Sequence, residues 1–343
     1  MHPMILLDLN QNIAAANPDK LSNLIEVARL VRDAKGSRLA NQFLMDGVGL
    51  IVNSTLNESY HAQALDYHLG LVYAHLNQPE LAVEHIARST VLPGTGGNPI
   101  FSEHVAESLR LHADQSSAAA RGIPSILIAS MPRSGSVSLT QSIAASLGVA
   151  VMRVSVGAFP NYLLVPRWVD AFSPGGAVAH DHFSASPFNL RTLNEAGIRE
   201  VFVLARDPRA SAASSVQLEI SHSRQSYPAE HVERRIVDLA LSAFIPWLER
   251  WVEASRIGQP RVHWLKYKET TTDMAAAVRR VLQVYRSDHA AVEAILESRV
   301  QTVTGNFVQG NDEAWRSLVG PCAQRRLSAE MSAEAVKLLG IVA

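Results

Sequence analysis

Residues 126–136 read ILIASMPRSGS, and residues 137–141 continue as VSLTQ. The unbroken apolar run at residues 126–128 is typical of a strand that is buried on both faces. Apolar residues then recur at helical spacing, at Leu139, Ile143 and Leu147. The segment therefore predicts a buried strand, a tight loop that carries one cation, Arg133, and a helix.

A loop between a strand and a helix is suited to holding a phosphate group. Successive backbone N–H groups at Ser134, Gly135, Ser136 and Val137 would lie at the helix N-terminus, where the helix dipole favours an anion. Arg133 adds a full charge and a planar set of donors that suits phosphate oxygens. The loop differs from a nucleoside-triphosphate loop, because Ser136 stands where that motif has lysine.

Strand and helix patterns alternate through the rest of the chain after residue 122. Apolar strand patterns occur at residues 149–152, 201–205 and 262–265, and helical patterns occur at residues 210–218 and 274–284. Such alternation predicts an α/β fold, a P-loop-type parallel sheet flanked by helices over residues 122–343. Ligands bind at the carboxyl ends of such strands. Arg133 and Arg206 both follow predicted strand ends, so we expect them to converge.

Residues 1–121 predict an all-α, repeat-like N-terminal domain. Leu69, Gly70, Tyr73, Ala82 and Ile86 have the spacing of a tetratricopeptide unit, although an ordinary helical hairpin would give the same pattern. A single repeat cannot bury its own apolar face, so residues 19–44 and 100–113 are expected to cover it. Residues 116–122 are predicted to form the linker to the second domain. The N-terminal helices are expected to offer a packing surface or a surface for a protein partner.

Two segments together resemble the PAPS-dependent sulfotransferases. Residues 132–136 resemble the P-[KR]-[ST]-G-[TS]-T loop, which in that family holds the 5′-phosphosulfate of 3′-phosphoadenosine-5′-phosphosulfate (PAPS). Residues 203–214 resemble the family's 3′-phosphate segment, with Arg206 and Ser214 at the matching spacing. The resemblance covers residues 122–343 and implies sulfuryl transfer from PAPS to an acceptor hydroxyl, without a metal. It assigns donor binding to Arg133, Ser134, Gly135, Ser136, Val137, Ser138, Arg206, Ser214, Tyr267 and Gly310.

The sequence departs from the family pattern at two places. Val137 replaces a threonine of the loop, and Ser138 is a candidate to supply the missing hydroxyl. A basic pair that the family has before Gly310 is Val308-Gln309 here. Candidates to replace its charge are Arg316, Arg325 and Arg326.

A histidine pair precedes the strand at residues 201–205. By the resemblance His182 is the general base, His180 occupies the family's lysine position, and Arg133 completes the catalytic set. Histidine suits the role because its pKa lies near neutrality. Two other interpretations stay open, a metal site formed by the H-x-H spacing and a structural histidine.

Composition excludes some classes of partner. The 343 residues carry 31 basic and 32 acidic side chains, a net charge of −1, which does not indicate a nucleic-acid surface. The sequence contains no run of eighteen apolar residues, so it predicts no membrane span. The cytoplasm is the expected compartment. The single cysteine, Cys322, cannot form an internal disulfide and is expected to be buried.

The sequence leaves the acceptor open. Residues 159–168 are rich in aromatic and apolar side chains and would line either an acceptor cleft or the core. Trp247 and Trp251 are expected in the core, on a long helix over residues 228–256 with a kink at Pro246. The acceptor is expected to be a small molecule, glycan, lipid or peptide. Two alternatives are a helical-repeat scaffold with a non-catalytic sulfotransferase-like domain and a P-loop kinase.

Overall fold

The computed structural model describes residues 42–44, 46, 47, 66, 69–74, 76, 78–89, 102–157, 159–223, 227–285 and 313–341. Most of residues 19–44, and also Val308, Gln309 and Gly310, lie outside these ranges. The α-helices are α1 Pro79–Ser89, α2 Ser102–Ala120, α3 Ser136–Leu147, α4 Pro166–Phe172, α5 Pro187–Glu195, α6 Pro208–Ser223, α7 Ala229–Leu239, α8 Ile245–Ile257, α9 Tyr267–Thr272, α10 Met274–Gln283, α11 Pro321–Ala329 and α12 Ala333–Leu339.

Five parallel strands form the central sheet. The described residues contain two further strands outside this sheet. In chain order all the strands are β1 Ser125–Ser130, β2 Ala150–Met152, β3 Ser155–Val156, β4 Leu163–Leu164, β5 Ala177–Asp181, β6 Glu200–Ala205 and β7 Arg261–Lys266. The order in the sheet is β2-β5-β1-β6-β7, and β3 and β4 form a separate antiparallel pair. The predicted α/β class, a parallel sheet flanked by helices, is therefore confirmed.

Helices cover the central sheet on both faces. Leu127 and Val203 pack on the face where Trp247 and Leu248 of α8 lie. Ile126 and Ile128 pack on the opposite face, against α3 and α10. Because both faces are covered, successive residues of β1 are buried on alternate faces and those at 126–128 all have to be apolar, which explains the unbroken run in the sequence.

The predicted linker at residues 116–122 is wrong over its first five residues, which belong to α2. The Gln115 side chain is buried and donates from Nε2 to the carbonyl oxygens of Ala171, at 2.8 Å, and Gly175, at 3.1 Å. The serines and alanines that follow contain no helix breaker before Gly122, so the helix continues and packs beside the sheet. The domain division at residue 121 stays a prediction.

Two helices approach closely at Gly70. A Cβ atom there would lie 2.6 Å from Ile86 Cγ1 and 2.9 Å from the Ala82 carbonyl oxygen, so only glycine fits without a shift. This contact agrees with the spacing in the sequence, while the assignment to a tetratricopeptide repeat stays a prediction. Ile86 also packs against Trp168 of α4, which places this helical pair on the α/β unit.

The long helix expected over residues 228–256 is interrupted by a π-helical turn at Ala240–Phe244. Pro246 follows in the first turn of α8. Proline has no amide hydrogen to continue the hydrogen-bond ladder, so the helix widens just before it. Trp247 and Trp251 are 1% and 0% exposed, which confirms that they belong to the core.

Candidate functional site

The five parallel strands all end at the same edge of the sheet. The residue that follows each strand end, in sheet order, is Arg153 after β2, His182 after β5, Met131 of the 131–135 loop after β1, Arg206 after β6 and Tyr267 after β7. This edge is where parallel sheets bind ligands. Four of these five positions, the loop included, were predicted from the sequence, and the fifth, Arg153, was missed.

The loop before α3 is held by its own polar groups. The Met131 amide donates to the Leu204 carbonyl oxygen at 2.9 Å, and the Ser134 hydroxyl donates to the Met131 carbonyl oxygen at 2.5 Å. Arg133 and Gly135 have φ values of 65° and 78°, a left-handed conformation that tightens the turn. The Ser134 amide also donates to the Met131 carbonyl oxygen, at 3.2 Å, so both donors of Ser134 are used within the loop.

The N-terminus of α3 has the features of an anion site. No side chain in the described structure caps it by a hydrogen bond. A Cβ atom at Gly135 would make an ordinary van der Waals contact with the Tyr267 ring at 3.8 Å, so the ring lies beside the glycine without crowding it. Ser136 is buried, whereas the Val137 side chain is 53% exposed. Uncapped first-turn amides are available to an anionic group.

Two predicted anchors meet at this loop. Arg133 donates from Nε to the Ser214 hydroxyl at 3.2 Å, and Arg206 donates from Nη1 to the Arg133 carbonyl oxygen at 3.0 Å. The Arg206 guanidinium also lies 4.2 Å from the centre of the Tyr267 ring, which is a cation–π contact. The structure thus brings together Arg133, Arg206, Ser214 and Tyr267, which lie far apart in the sequence. Gly310 lies outside the described residues.

His182 lies beside the same loop and has a defined tautomer. Its Nδ1 is 2.8 Å from the carbonyl oxygen of Ser130 and 3.1 Å from the Ser130 hydroxyl. A carbonyl oxygen only accepts, so Nδ1 carries the proton and Nε2 keeps its lone pair. Burial lowers the pKa of His182, which keeps the ring neutral at physiological pH.

The backbone and the ring of His182 are both enclosed. Trp247 Nε1 donates to the carbonyl oxygens of His182, at 3.1 Å, and Phe183, at 3.0 Å. The rings of Phe159 and Tyr162 pack edge-on against the imidazole, with centroids at 6.4 and 5.7 Å. Helix α8 therefore fixes the backbone of His182, and residues of the 159–168 segment line the space beside its ring.

His180 lies on β5, opposite Ile128 of β1. Burial, with smaller contributions from the positive charges of His182, when protonated, and of Arg153, lowers its pKa to about 4. Its buried Nδ1 has no hydrogen-bond partner among the described residues. His180 is therefore neutral at pH 7 and does not supply the charge of a lysine at this position. Its catalytic role stays a prediction.

Arg153 is the site residue that the sequence interpretation missed. Its Nε donates to the Ser155 carbonyl oxygen at 3.1 Å and lies 3.6 Å from Asp181 Oδ2. Its guanidinium lies 5.9 Å from the centre of the Tyr162 ring. Burial raises the pKa of the Asp181 carboxyl. The sequence could have indicated Arg153 by its position, because it directly follows a predicted strand, as Arg206 does.

A buried arginine joins the C-terminal segment to this edge. Arg209 binds the Asp207 carboxylate through Nε at 2.9 Å and Nη2 at 2.8 Å, and its Nη1 donates to the Ser328 hydroxyl at 2.8 Å. It also stacks on the Trp315 ring at 4.6 Å. Arg316, a candidate to replace the missing basic pair, pairs with Glu313.

Other expectations from composition can be compared with the structure. Cys322 is exposed, so the expectation of a buried thiol is wrong; it lies near the start of α11, away from the core side of that helix. Within the described ranges, no group of three or more His, Cys, Asp or Glu side chains is placed to hold a metal ion. No helix in those ranges has the length and hydropathy needed to cross a membrane.

Comparison with known proteins gives fold-level similarities. No protein-family model matches the chain, and no curated protein sequence matches it. The mouse sulfotransferase SULT7A1 complexed with PAP matches at 14% identity over 69% of this chain and 94% of that one, with a TM-score of 0.42. A sulfotransferase from Alicyclobacillus acidocaldarius matches at 12% identity over 63% of this chain and 94% of that one, with a TM-score of 0.39. Similarity of this degree carries no weight for the activity.

Proposed function

We propose that the chain is a sulfotransferase that transfers the sulfuryl group of PAPS to an acceptor hydroxyl. The main support is the convergence of Arg133, Arg206, Ser214 and Tyr267 on the loop before α3. His182 is one strand away in the sheet order, with Nε2 available as a base. The motifs at residues 132–136 and 203–214 point to the same chemistry.

The residues present fit a donor with two phosphate groups. The uncapped amides of α3 and the Arg133 guanidinium suit the 5′-phosphosulfate, because amides at a helix N-terminus and an arginine both bind oxyanions. Arg206 and Ser214 suit the 3′-phosphate, and the Tyr267 ring suits contact with the adenine. Val137 provides no hydroxyl, and Ser138 is the proposed substitute.

When bound, the donor supplies the sulfuryl group. His182 Nε2 accepts the proton of the acceptor hydroxyl, while the Ser130 carbonyl oxygen holds Nδ1–H and so maintains the tautomer. Such general-base assistance is worth about 10²–10⁴ in rate. Arg133 and the α3 amides stabilise the charge that develops on the departing phosphate. In this scheme residues 122–343 carry the activity, and residues 1–121 offer the surface for a partner or for packing.

Calorimetry tests donor binding. Adenosine 3′,5′-bisphosphate, the product of the donor, should bind, and ATP should bind far more weakly. Arg206→Met should weaken bisphosphate binding roughly 10-fold or more, since a charge-assisted contact contributes about 1.5–3 kcal/mol. Arg199→Met is the matched control, because Arg199 is exposed at the opposite end of the same strand.

Transfer of radiolabelled sulfuryl from PAPS to phenol, sugar, lipid-alcohol and peptide acceptors tests turnover. Labelled product that depends on His182 supports the proposal. Absence of bisphosphate binding overturns it, and tight ATP binding would favour a kinase instead. Bisphosphate binding without transfer to any acceptor would favour the non-catalytic scaffold.

A further inference from the structure

Arg153 places a positive charge on the acceptor side of His182. The strand order β2-β5-β1 puts the loop before α3 on one side of His182 and Arg153 on the other. The Arg153 side chain is 32% exposed, and its Nε is oriented by the Ser155 carbonyl oxygen. The guanidinium is therefore held in position and still accessible to a ligand.

One carboxylate, that of Asp181, lies beside Arg153. Residues 150–194 contain two carboxylates, those of Asp170 and Asp181. Asp170 is exposed on α4. Asp181 is 7% exposed, lies 3.6 Å from Arg153 Nε, and has a pKa that burial raises. Burial lowers the pKa values of His180 and His182 at the end of β5, so neither adds a positive charge beside Arg153 at neutral pH.

One aromatic ring connects Arg153 to the proposed base. The centre of the Tyr162 ring lies 5.9 Å from the Arg153 guanidinium and 5.7 Å from the centre of the His182 ring. Phe159 packs against the same imidazole and extends the aromatic wall. An acceptor with its hydroxyl at His182 Nε2 therefore has an apolar surface beside it and, in contact with the same Tyr162 ring, a guanidinium.

We propose that the acceptor is a hydroxylated aromatic or similarly flat molecule that carries a carboxylate, and that Arg153 binds this carboxylate. The inference rests on the proposed function and names the acceptor class for the same site. A planar guanidinium binds a carboxylate through two parallel hydrogen bonds, which selects both charge and orientation. The hydroxyl of the acceptor then points to His182, and its flat body lies along Tyr162 and Phe159.

A matched pair of probes tests this assignment. 4-Hydroxybenzoate and 4-hydroxybenzamide differ mainly in charge, and each is titrated by calorimetry against the protein, with and without adenosine 3′,5′-bisphosphate. The acid should bind roughly 10- to 100-fold more tightly than the amide, the range expected for a charge-assisted pair. Arg153→Gln should remove the preference, and Arg153→Lys should restore part of it. Arg167→Gln is the control, because Arg167 is exposed on α4 and contacts the Ala87 carbonyl oxygen instead.

A second variant keeps the test valid if Arg153→Gln does not fold. Asp181→Asn removes the carboxylate beside Arg153, so the preference for the acid should increase. Equal binding of acid and amide to the wild type, or no binding of the acid, overturns the proposal. So does an unchanged preference in folded Arg153→Gln. Loss of bisphosphate binding would instead count against the proposed function, and this is measured separately in the same titrations.

Discussion

The protonation of His180 should make the stability of the fold depend on pH. Burial lowers its pKa from 6.5 to about 4 in the folded protein. Between these two values the unfolded chain binds the proton and the folded chain does not, so the free energy of unfolding decreases as the pH falls. Each pKa unit corresponds to about 1.4 kcal/mol, so the full loss is about 3 kcal/mol. The contribution of His180 is complete above pH 6.5 and is lost by pH 4.

Urea unfolding of the wild type and of His180→Gln between pH 4 and pH 8 measures this effect. The wild type should lose about 3 kcal/mol more than the variant on going from neutral to acidic pH. Burial raises the pKa of Asp181, which acts in the opposite direction in both proteins, so the difference between them isolates His180. His231→Gln, on the exposed face of α7, should follow the wild type.

Two results would refute this reasoning. One is an equal loss of stability in wild type and His180→Gln. The other is a pKa of His180 near 6.5, measured by NMR titration of the folded protein. Either would mean that the strand end is hydrated enough to hold a charged imidazole. His180 would then be partly protonated near neutral pH and would supply part of the positive charge that the resemblance implies at this position.

Three further predictions concern the base and the packing. His182→Gln should lower kcat by about 10²–10⁴ and leave the calorimetric Kd for the bisphosphate unchanged, and unchanged turnover would remove His182 from the role of base. Since burial lowers the pKa of His182, the acidic limb of kcat/KM should lie below pH 6.5, and a limb clearly above that pH would contradict this environment. Gly176→Ala should cost about 2–5 kcal/mol in urea unfolding, because its Cβ would lie 2.2 Å from the Gln115 carbonyl oxygen at a φ of +75°. Gly122→Ala, at a similar φ with open space, should cost only about 1–2 kcal/mol, and equal losses would mean that α2 does not pack as described.

Some strands could be predicted from the sequence because they are buried on both faces. β1 and β6 contain unbroken apolar runs that are buried and were predicted as strands. β2 and β7 were predicted as well, although both are only partly buried. β5 was not among them, although it lies between β2 and β1. It ends in His180 and Asp181, so it lacks the apolar pattern, and only the pairing with its neighbours defines it as a strand. The continuation of α2 was missed for a similar reason, because its packing against Gly176 lies far away in the chain.

The site was predictable where a motif carries it. The loop at residues 132–136 and the segment of Arg206 and Ser214 have fixed spacings, so their convergence followed from the parallel strand order. Arg153 belongs to no such motif. Its part in the site depends on the position of β2 at the sheet edge and on Tyr162, nine residues further along the chain. The tautomer of His182 likewise depends on the carbonyl oxygen of Ser130. A pattern of side chains in the sequence does not predict such a contact with the backbone.

The order of the strands allows the two halves of the site to be exchanged independently. The residues proposed for donor binding follow β1, β6 and β7, whereas Arg153 follows the edge strand β2. Residues 153–165, with Arg153 and Tyr162 at the sheet edge, form one short piece of chain that could be grafted from one protein to another. Such a graft leaves the loops after the three donor-side strands in place, so the fold offers a means of changing the acceptor while keeping the donor.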